Sequence, residues 1–189
     1  MMADWFPFSV SLQWRWADEM PTIGVAVAIP EPWASQLQDY RTSVGDTTAT
    51  LIPTHITLVP PTEVEGDLEV VETHLGEAAT HVAPFGVHLR GTGTFRPVSP
   101  VVFVSLVEGI SQCEQLAAVV RRGPLAVELD YPYHPHVTVA HHLPDDRLDL
   151  AFAELAGFDC QFDVADFHLY VHDAEVGWQP SRDFALTGS

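Results

Sequence analysis

The sequence predicts an α+β fold with largely antiparallel sheets, and three observations lead to that prediction. Segments with strand and helix patterns are mixed along the chain without a strict β-α-β repeat, which disfavours a purely parallel sheet. The chain has 189 residues, of which 47% are hydrophobic and 18% charged, so it can build one core and lacks the composition of a disordered protein. No linker or low-complexity tract divides it, so residues 21–189 are expected to form a single domain.

Residues 1–20 form an N-terminal extension in which apolar residues recur at every second position. Apolar residues occupy the even positions from Phe6 to Trp16, as one face of a β-strand requires. We interpret this segment as an extra strand that packs on the body of the protein, with a partner-binding surface as the alternative.

The remaining elements follow from hydrophobic periodicity and from the residues that begin and end each run. Strands are expected at 23–29, 51–59, 85–90, 101–107 and 137–141, with two or three more between 158 and 186. Helices are expected at 31–45, 66–80, 111–120 and 145–156. Pro60-Pro61 is expected to end the second strand, Gly91-Thr92-Gly93 to form a turn, and Ser111 to Glu114 to form a capping box.

The charge balance restricts the partners. The chain has 26 acidic and 8 basic residues, all of the latter arginine, and a formal net charge of -18. Because non-specific nucleic-acid binding depends on neutralising phosphates with cations, this surface disfavours long RNA or DNA but not a small anionic substrate. The two cysteines are too few for a disulfide scaffold, and no apolar run is long enough to span a membrane. We therefore expect a cytoplasmic monomer that does not bind membranes.

A short motif occurs twice. Pro53-Thr54-His55-Ile56-Thr57 and Pro135-His136-Val137-Thr138 each contain His-x-Thr in a strand-like context, and the two histidines are 81 residues apart. Residues i and i+2 of a strand point to the same face, so each copy presents an imidazole beside a hydroxyl. If each copy belongs to one lobe of a duplicated architecture, two such pairs converge on one cleft.

Two imidazoles and two hydroxyls suit phosphodiester chemistry that needs no metal. One neutral histidine can accept a proton from the nucleophile, and a protonated one can donate a proton to the leaving alkoxide. Both forms coexist near neutral pH because the ordinary pKa of imidazole is about 6.5. The threonines can hold the phosphate oxygens. The acidic surface is expected to favour protonated histidines and to move the pH optimum slightly alkaline.

At these residues the chain resembles the two-histidine (2H) phosphoesterase superfamily, and within it the 2'-5' RNA ligase and cyclic phosphodiesterase branch. The resemblance extends over residues 23–186 and includes the first apolar strand, the helix after it, and Trp178. It implies a bilobal fold, with two pseudo-symmetric antiparallel sheets and outer helices around a central cleft. It also implies that His55 and His136 are catalytic, that Thr57 and Thr138 bind the substrate, and that no cofactor is needed. The implied reaction opens a 2',3'-cyclic phosphate on a nucleotide or RNA end, or forms or reverses a 2'-5' linkage.

Other residues are candidates for substrate binding or for a different chemistry. Arg90 and Arg96 flank the glycine-rich segment and are candidates for phosphate contacts, and Tyr133 could stack on a base or belong to the core. One alternative is a metal-dependent hydrolase that uses the histidines between His134 and His142. A second alternative is a non-catalytic module that binds a nucleotide or another small anion.

Overall fold

The computed structural model describes residues 20–189, and the extra strand predicted for the N-terminal extension lies outside these residues. The described chain contains eight strands, four α-helices and one short 3-10 helix (Gly123–Leu125). The strands are β1 (Thr22–Ala28), β2 (His55–Glu63), β3 (Phe85–Thr94), β4 (Val101–Glu108), β5 (His136–His141), β6 (Asp159–Val164), β7 (Asp166–Asp173) and β8 (Gly177–Ala185). The helices are α1 (Trp33–Val44), α2 (Leu68–Ala79), α3 (Ile110–Val120) and α4 (Asp145–Glu154).

The strands form one sheet in the order β6-β3-β4-β5-β2-β1-β7-β8, and every neighbouring pair is antiparallel. The α+β class and the antiparallel pairing predicted from the sequence are therefore confirmed. The two separate sheets implied by the resemblance are instead one continuous sheet, because β2 and β5 pair at Ile56 and Val137 in its centre. We call the four strands on the β2 side the first half of the sheet and the four on the β5 side the second half.

The two halves repeat one unit of structure. In the first half β1, α1 and β2 form an antiparallel strand pair joined by a helix, and β4, α3 and β5 do the same in the second. Each unit has a β-bulge directly after its His-x-Thr motif. The registers place Leu58 of β2 and Val139 of β5 as the extra residues opposite their partner strands. The motif thus lies in the same local geometry twice.

The core lies between the sheet and the helices. Each helix contributes one leucine with no exposed surface, namely Leu37, Leu75, Leu116 and Leu148. Burying a side chain of this size stabilises the fold by about 1.5–3 kcal/mol. In the motif strands Ile56 and Val137 are also fully buried, while the histidines and threonines on either side of them remain half-buried on the opposite face. The core therefore holds the motif side chains on the outer face of a rigid sheet. Among residues 20–189, no helix is both long and apolar enough to cross a membrane.

The predicted boundaries of three elements were wrong. Strand β2 begins at His55, not at 51, and continues through Pro60 and Pro61 to Glu63. A proline cannot donate a backbone hydrogen bond, but it is tolerated near a bulge where the ladder is irregular. Helix α3 begins at Ile110 after Gly109, and Ser111 forms no capping box. Gly109 has φ +85°, and a Cβ there would lie 2.7 Å from the Gly86 carbonyl oxygen, so the close approach of β3 explains the glycine.

The third wrong boundary concerns the glycine-rich segment 91–93, which is part of β3 and not a turn. Gly91 has φ +65° and lies where the register between β3 and β4 shifts. Gly93 lies under the ring of Phe103, since a Cβ at Gly93 would be 2.5 Å from that ring. The connection between β3 and β4 is made by residues 95–100.

Candidate active site

The two motifs meet in the centre of the sheet. Ile56 of β2 pairs with Val137 of β5, and the strands are antiparallel. The residues on either side of this pair are therefore His55 next to Thr138 and Thr57 next to His136. The structure thus brings all four motif side chains to one face, related by an approximate two-fold axis through the Ile56–Val137 pair.

Both imidazoles are oriented in the same way. The Nδ1 atom of His55 is 2.6 Å from the Pro53 carbonyl oxygen, and that of His136 is 2.7 Å from the His134 carbonyl oxygen. Because a carbonyl oxygen accepts only, Nδ1 carries the proton and donates in each ring. Nε2 is then the unprotonated nitrogen of the neutral ring, and in His55 it lies 3.0 Å from Thr57 Oγ1, which can donate to it.

Burial sets the ionisation of both rings. Desolvation lowers the pKa of His55, and the charge of Arg41 adds to this effect, while the Pro53 carbonyl opposes it. Desolvation likewise lowers the pKa of His136, against the His134 carbonyl and together with the charges of His134 and His55. This direction is opposite to the alkaline shift expected from the acidic composition, because local desolvation acts more strongly on a buried imidazole than distant surface charge does.

A cavity of about 310 Å³ opens beside the motifs on the first half of the sheet. Its polar end, as we call it, is lined by Arg41, His55, Thr57, Thr138 and His141. Its apolar end is lined by Gly24, Val59, Pro61, Tyr170 and Trp178. None of the described residues around the cavity is acidic, although the chain carries a net charge of -18. The cavity is therefore suited to an anion at one end and to an apolar group at the other.

Arg41 forms a buried ion pair below the polar end. It lies on the buried face of α1 with Leu37 and Val44, and its Nη2 is 3.0 Å from Asp46 Oδ2. Its Nη1 donates to the Ile52 carbonyl oxygen over 2.7 Å. Burial alone would raise the pKa of Asp46, but hydrogen bonds from Thr48 and the charge of Arg41 outweigh burial and lower it. Asp46 is therefore ionised and fixes the guanidinium.

His141 is a third imidazole at the polar end. Simple alternation would place it on the face opposite His136 and Thr138, but the bulge at Val139 inserts one residue and returns it to their face. Its Nδ1 atom is buried 3.5 Å from Asp46 Oδ2, beyond an ordinary hydrogen bond. Burial lowers the pKa of His141, although Asp46 opposes this shift.

Arg41 and His141 are the polar residues that sequence reasoning missed in this role. A signal for Arg41 was present, because a charged residue interrupted the apolar stripe of a helix. The position of His141 depends on a bulge, which the sequence pattern does not predict.

His136 lies outside the lining of the cavity, against aromatic rings of the second half. The centroid of its ring is 5.0 Å from that of Phe95 and 5.1 Å from that of Phe103. Phe95 and Phe103 are themselves 4.5 Å apart. The second half thus supports its histidine with packed aromatic side chains where the first half has open space.

Tyr133 supports the motif from behind. Its hydroxyl donates to the Thr57 carbonyl oxygen over 2.9 Å, and the guanidinium of Arg121 lies 4.5 Å above its ring. Burial raises the pKa of Tyr133. Because its hydroxyl is hydrogen-bonded to the backbone of β2, Tyr133 supports Thr57 and does not line the cavity.

The structure does not bring Arg90 and Arg96 to the cavity. Arg96 Nη2 is 2.7 Å from Asp149 Oδ1, which holds the side chain on α4. Arg90 is exposed, and its Nε is 3.6 Å from Asp159 Oδ2 on β6. They were candidates for phosphate contacts because they flank the glycine-rich segment, which was expected to be a turn, but that segment is part of strand β3.

The histidines between 134 and 142 do not form one cluster. The ring of His134 stacks beside that of His136 with centroids 6.2 Å apart, whereas His141 lies beside Asp46 with His142 at 5.2 Å. Within residues 20–189, no group of three or more histidine, cysteine or acidic side chains is arranged to hold a metal ion. The geometry therefore gives the metal-hydrolase alternative no ligand set in this part of the chain.

Comparison with known proteins agrees with this geometry. Residues 29–175 match the family model of the 2'-5' RNA ligase superfamily. The chain belongs to this superfamily. The family resemblance predicted from the two motifs is confirmed, and the matched region contains both of them.

Relatives in the superfamily cover most of the chain. A Bacillus cytotoxicus protein named "putative phosphoesterase" is 31% identical over 139 residues, which are 72% of this chain and 80% of that protein. A protein of the same description from Bacillus licheniformis is 30% identical over 159 residues, 81% of this chain and 94% of the relative.

Solved structures of the same architecture extend the comparison. LigT of Escherichia coli without ligand has a TM-score of 0.64 at 21% identity and covers 88% of this chain and 98% of its own. The protein TT0787 of Thermus thermophilus has a TM-score of 0.61 at 25% identity, with 89% and 99% covered. The likeness to LigT establishes the fold, and the sequence relatives support phosphoesterase activity in the superfamily.

Proposed function

We propose that this protein opens 2',3'-cyclic phosphates on nucleotides or short RNA ends by acid–base catalysis with His55 and His136. The observation that carries the proposal is the matched orientation of the two rings. Each Nδ1 donates to a carbonyl oxygen two residues earlier, so both Nε2 atoms are available for proton transfer. Such a pair is suited to one group that accepts a proton and one that donates it.

In the proposed reaction water attacks the phosphorus atom. The neutral imidazole accepts a proton from the water through Nε2 as the new P–O bond forms. The P–O bond to one ribose oxygen breaks, and the protonated imidazole donates its proton to that oxygen, which leaves a phosphate monoester. Thr138 is suited to donate a hydrogen bond to a non-bridging oxygen, where charge develops, and Thr57 can do the same once its hydroxyl turns from Nε2 of His55 to the phosphate. With a 5'-hydroxyl in place of water, the same proton transfers form a 2'-5' linkage.

The size and charge of the cavity support a small substrate. A volume of about 310 Å³ lies at the lower end of the range for small-molecule sites. The LigT structures with 3'-AMP and with phosphate concern a protein of the same fold and support a nucleotide as the ligand class. Since the acidic surface repels polyanions, we expect mononucleotides to be used at least as well as long RNA, with little dependence on salt.

Turnover of 2',3'-cyclic AMP by the purified chain tests the proposal. We expect a nucleoside monophosphate as product, with an unchanged rate after treatment with EDTA. Activity that is lost in EDTA and restored by one divalent ion would favour the metal-dependent hydrolase. Binding of the nucleotide without any turnover would favour the non-catalytic module.

A further inference from the structure

The backbone pairing that joins the two halves of the sheet is short. In the described chain the register of β2 with β5 consists of the pair Ile56–Val137, whereas β1 and β2 are paired along the whole length of β1. Continuing the register past Val137 would place Pro135 opposite Leu58, and a proline has no N–H to donate. The ladder therefore ends on the His136 side of the pair, and another contact must align the two halves there.

Tyr133 supplies that contact. It lies three residues before His136 on the segment that leads into β5, and its hydroxyl donates to the Thr57 carbonyl oxygen of β2 over 2.9 Å. A side-chain O–H group thus donates to β2 next to the position where Pro135 has no N–H to offer. The bond joins the segment that carries one motif histidine to the strand that carries the other.

The ring of Tyr133 is itself fixed, so its hydroxyl is a defined donor. The Arg121 guanidinium lies 4.5 Å above the ring, and Arg121 Nε donates to the Ala117 carbonyl oxygen of α3 over 3.1 Å. Because burial raises the pKa of Tyr133, the hydroxyl keeps its proton over the range of pH in which histidines titrate. The tyrosine therefore holds the Thr57 backbone at one distance from the second half.

The position of Thr57 bears on both imidazoles. Thr57 is next to His136 across the sheet, and its Oγ1 is 3.0 Å from Nε2 of His55. We propose that Tyr133 is a positioning residue, which sets the separation of the two imidazoles by holding the Thr57 backbone. The inference rests on the proposed function, in which both rings must reach one phosphorus atom, and adds to it a residue outside the cavity. Since a displacement of about 1 Å can cost about 10²-fold in rate, the loss of this one bond is expected to affect turnover strongly.

The test removes the hydroxyl and keeps the ring. We expect Tyr133→Phe to lower kcat for 2',3'-cyclic AMP by about 10-fold, with a change in KM of less than about 2-fold, because the rings shift relative to each other while the cavity is unchanged. The matched control is Tyr40→Phe, which loses a hydroxyl bond of 2.9 Å to Glu154 Oε2 between α1 and α4, away from the motifs. The control is expected to keep kcat within about 2-fold of the wild type and to have a melting temperature similar to that of Tyr133→Phe.

A second measurement does not depend on turnover. The charge of His55 is one of the causes that lower the pKa of His136, so His55→Gln is expected to raise the pKa of His136 in an NMR titration. In a Tyr133→Phe background the same substitution is expected to raise it less, because the rings are no longer held close. His134 and its carbonyl oxygen, which also act on this pKa, are the same in both backgrounds.

Three results would overturn the role of Tyr133: an unchanged kcat in Tyr133→Phe, a loss that lies in KM instead of kcat, or an equal rise of the His136 pKa in the two backgrounds. Absence of turnover of 2',3'-cyclic AMP by the wild type would overturn the proposed function instead. The titration then decides by itself whether Tyr133 sets the separation of the two rings.

Discussion

The first and second halves of the sheet carry the same motif in the same local geometry but surround it differently. In each half a strand presents His-x-Thr, a carbonyl two residues earlier orients the imidazole, and a bulge follows the threonine. The first half surrounds its motif with a cavity and a buried ion pair, whereas the second packs its histidine against Phe95 and Phe103. In the proposed function, the repeated part supplies proton transfer and the part that differs supplies binding.

The largest expected effect tests whether the two halves act as one unit. We expect His55→Ala and His136→Ala each to lower turnover of 2',3'-cyclic AMP by about 10²-fold or more, because each removes one proton-transfer group. The double variant is expected to be little slower than either single variant, since groups that act on one transition state are not additive. Nearly normal turnover in either single variant, or losses that multiply, would show that the halves work independently.

The buried ion pair provides the next test, because the two connecting helices differ at their buried faces. The buried residues of α1 include Arg41, whereas those of α3 are Cys113, Leu116, Ala117 and Val120. Asp46→Asn leaves the guanidinium without its counter-charge, and breaking a buried pair in this way costs about 3–5 kcal/mol of the free energy of unfolding.

Denaturant unfolding measures this cost. The matched control is Glu72→Gln, which removes the partner of the more exposed Arg182 and is expected to cost less than about 1 kcal/mol. Similar losses in the two variants would mean that Asp46 does not have the role of a buried counter-charge.

Ala26 tests the difference between the halves more directly. Ala26 of β1 pairs with Thr57, whereas Phe103 of β4 pairs with Thr138. Ala26→Leu makes the first half resemble the second, because the larger side chain fills the space beside Thr57. We therefore expect kcat/KM to fall about 10-fold through a higher KM. Ala140→Leu adds the same volume to a buried position of β5 that does not line the cavity, so it is expected to lower the melting temperature with less effect on KM. Equal effects of the two variants on KM would refute the assignment of the cavity as the substrate site.

The pH profile has the smallest expected effect and tests what the halves share. Burial lowers the pKa of both His55 and His136 below the ordinary value of about 6.5. The rising limb of the profile follows the pKa of the base, and the falling limb follows the pKa of the acid. Lower pKa values therefore move both limbs to lower pH. We expect a bell-shaped kcat/KM with its maximum on the acid side of about 6.5, and little change in added salt because desolvation is not screened. A maximum above about pH 7.5 that shifts with salt would indicate that the surface charge dominates.

The sequence predicted the side chains at the centre of the site, but it did not predict that the two halves of the sheet surround them differently. Two His-x-Thr motifs on strands predicted the four central side chains, because alternation along a strand is a local property. The open cavity depends on Ala26 lying opposite Thr57 and on Trp178 lying over Gly24, and both are contacts between distant segments. Arg90 and Arg96 were chosen for their nearness to glycines, yet tertiary ion pairs hold them elsewhere. These contacts depend on strand registers and bulges, which local sequence patterns do not determine.

A crystal structure with adenosine 2'-monophosphate tests the central claim most directly, since this ligand is a product of the proposed reaction. We expect the phosphate between Nε2 of His55 and Nε2 of His136, within hydrogen-bond distance of both. A phosphate bound at Arg90 or Arg96, or held with a metal ion beside His141 and His142, would contradict the claim.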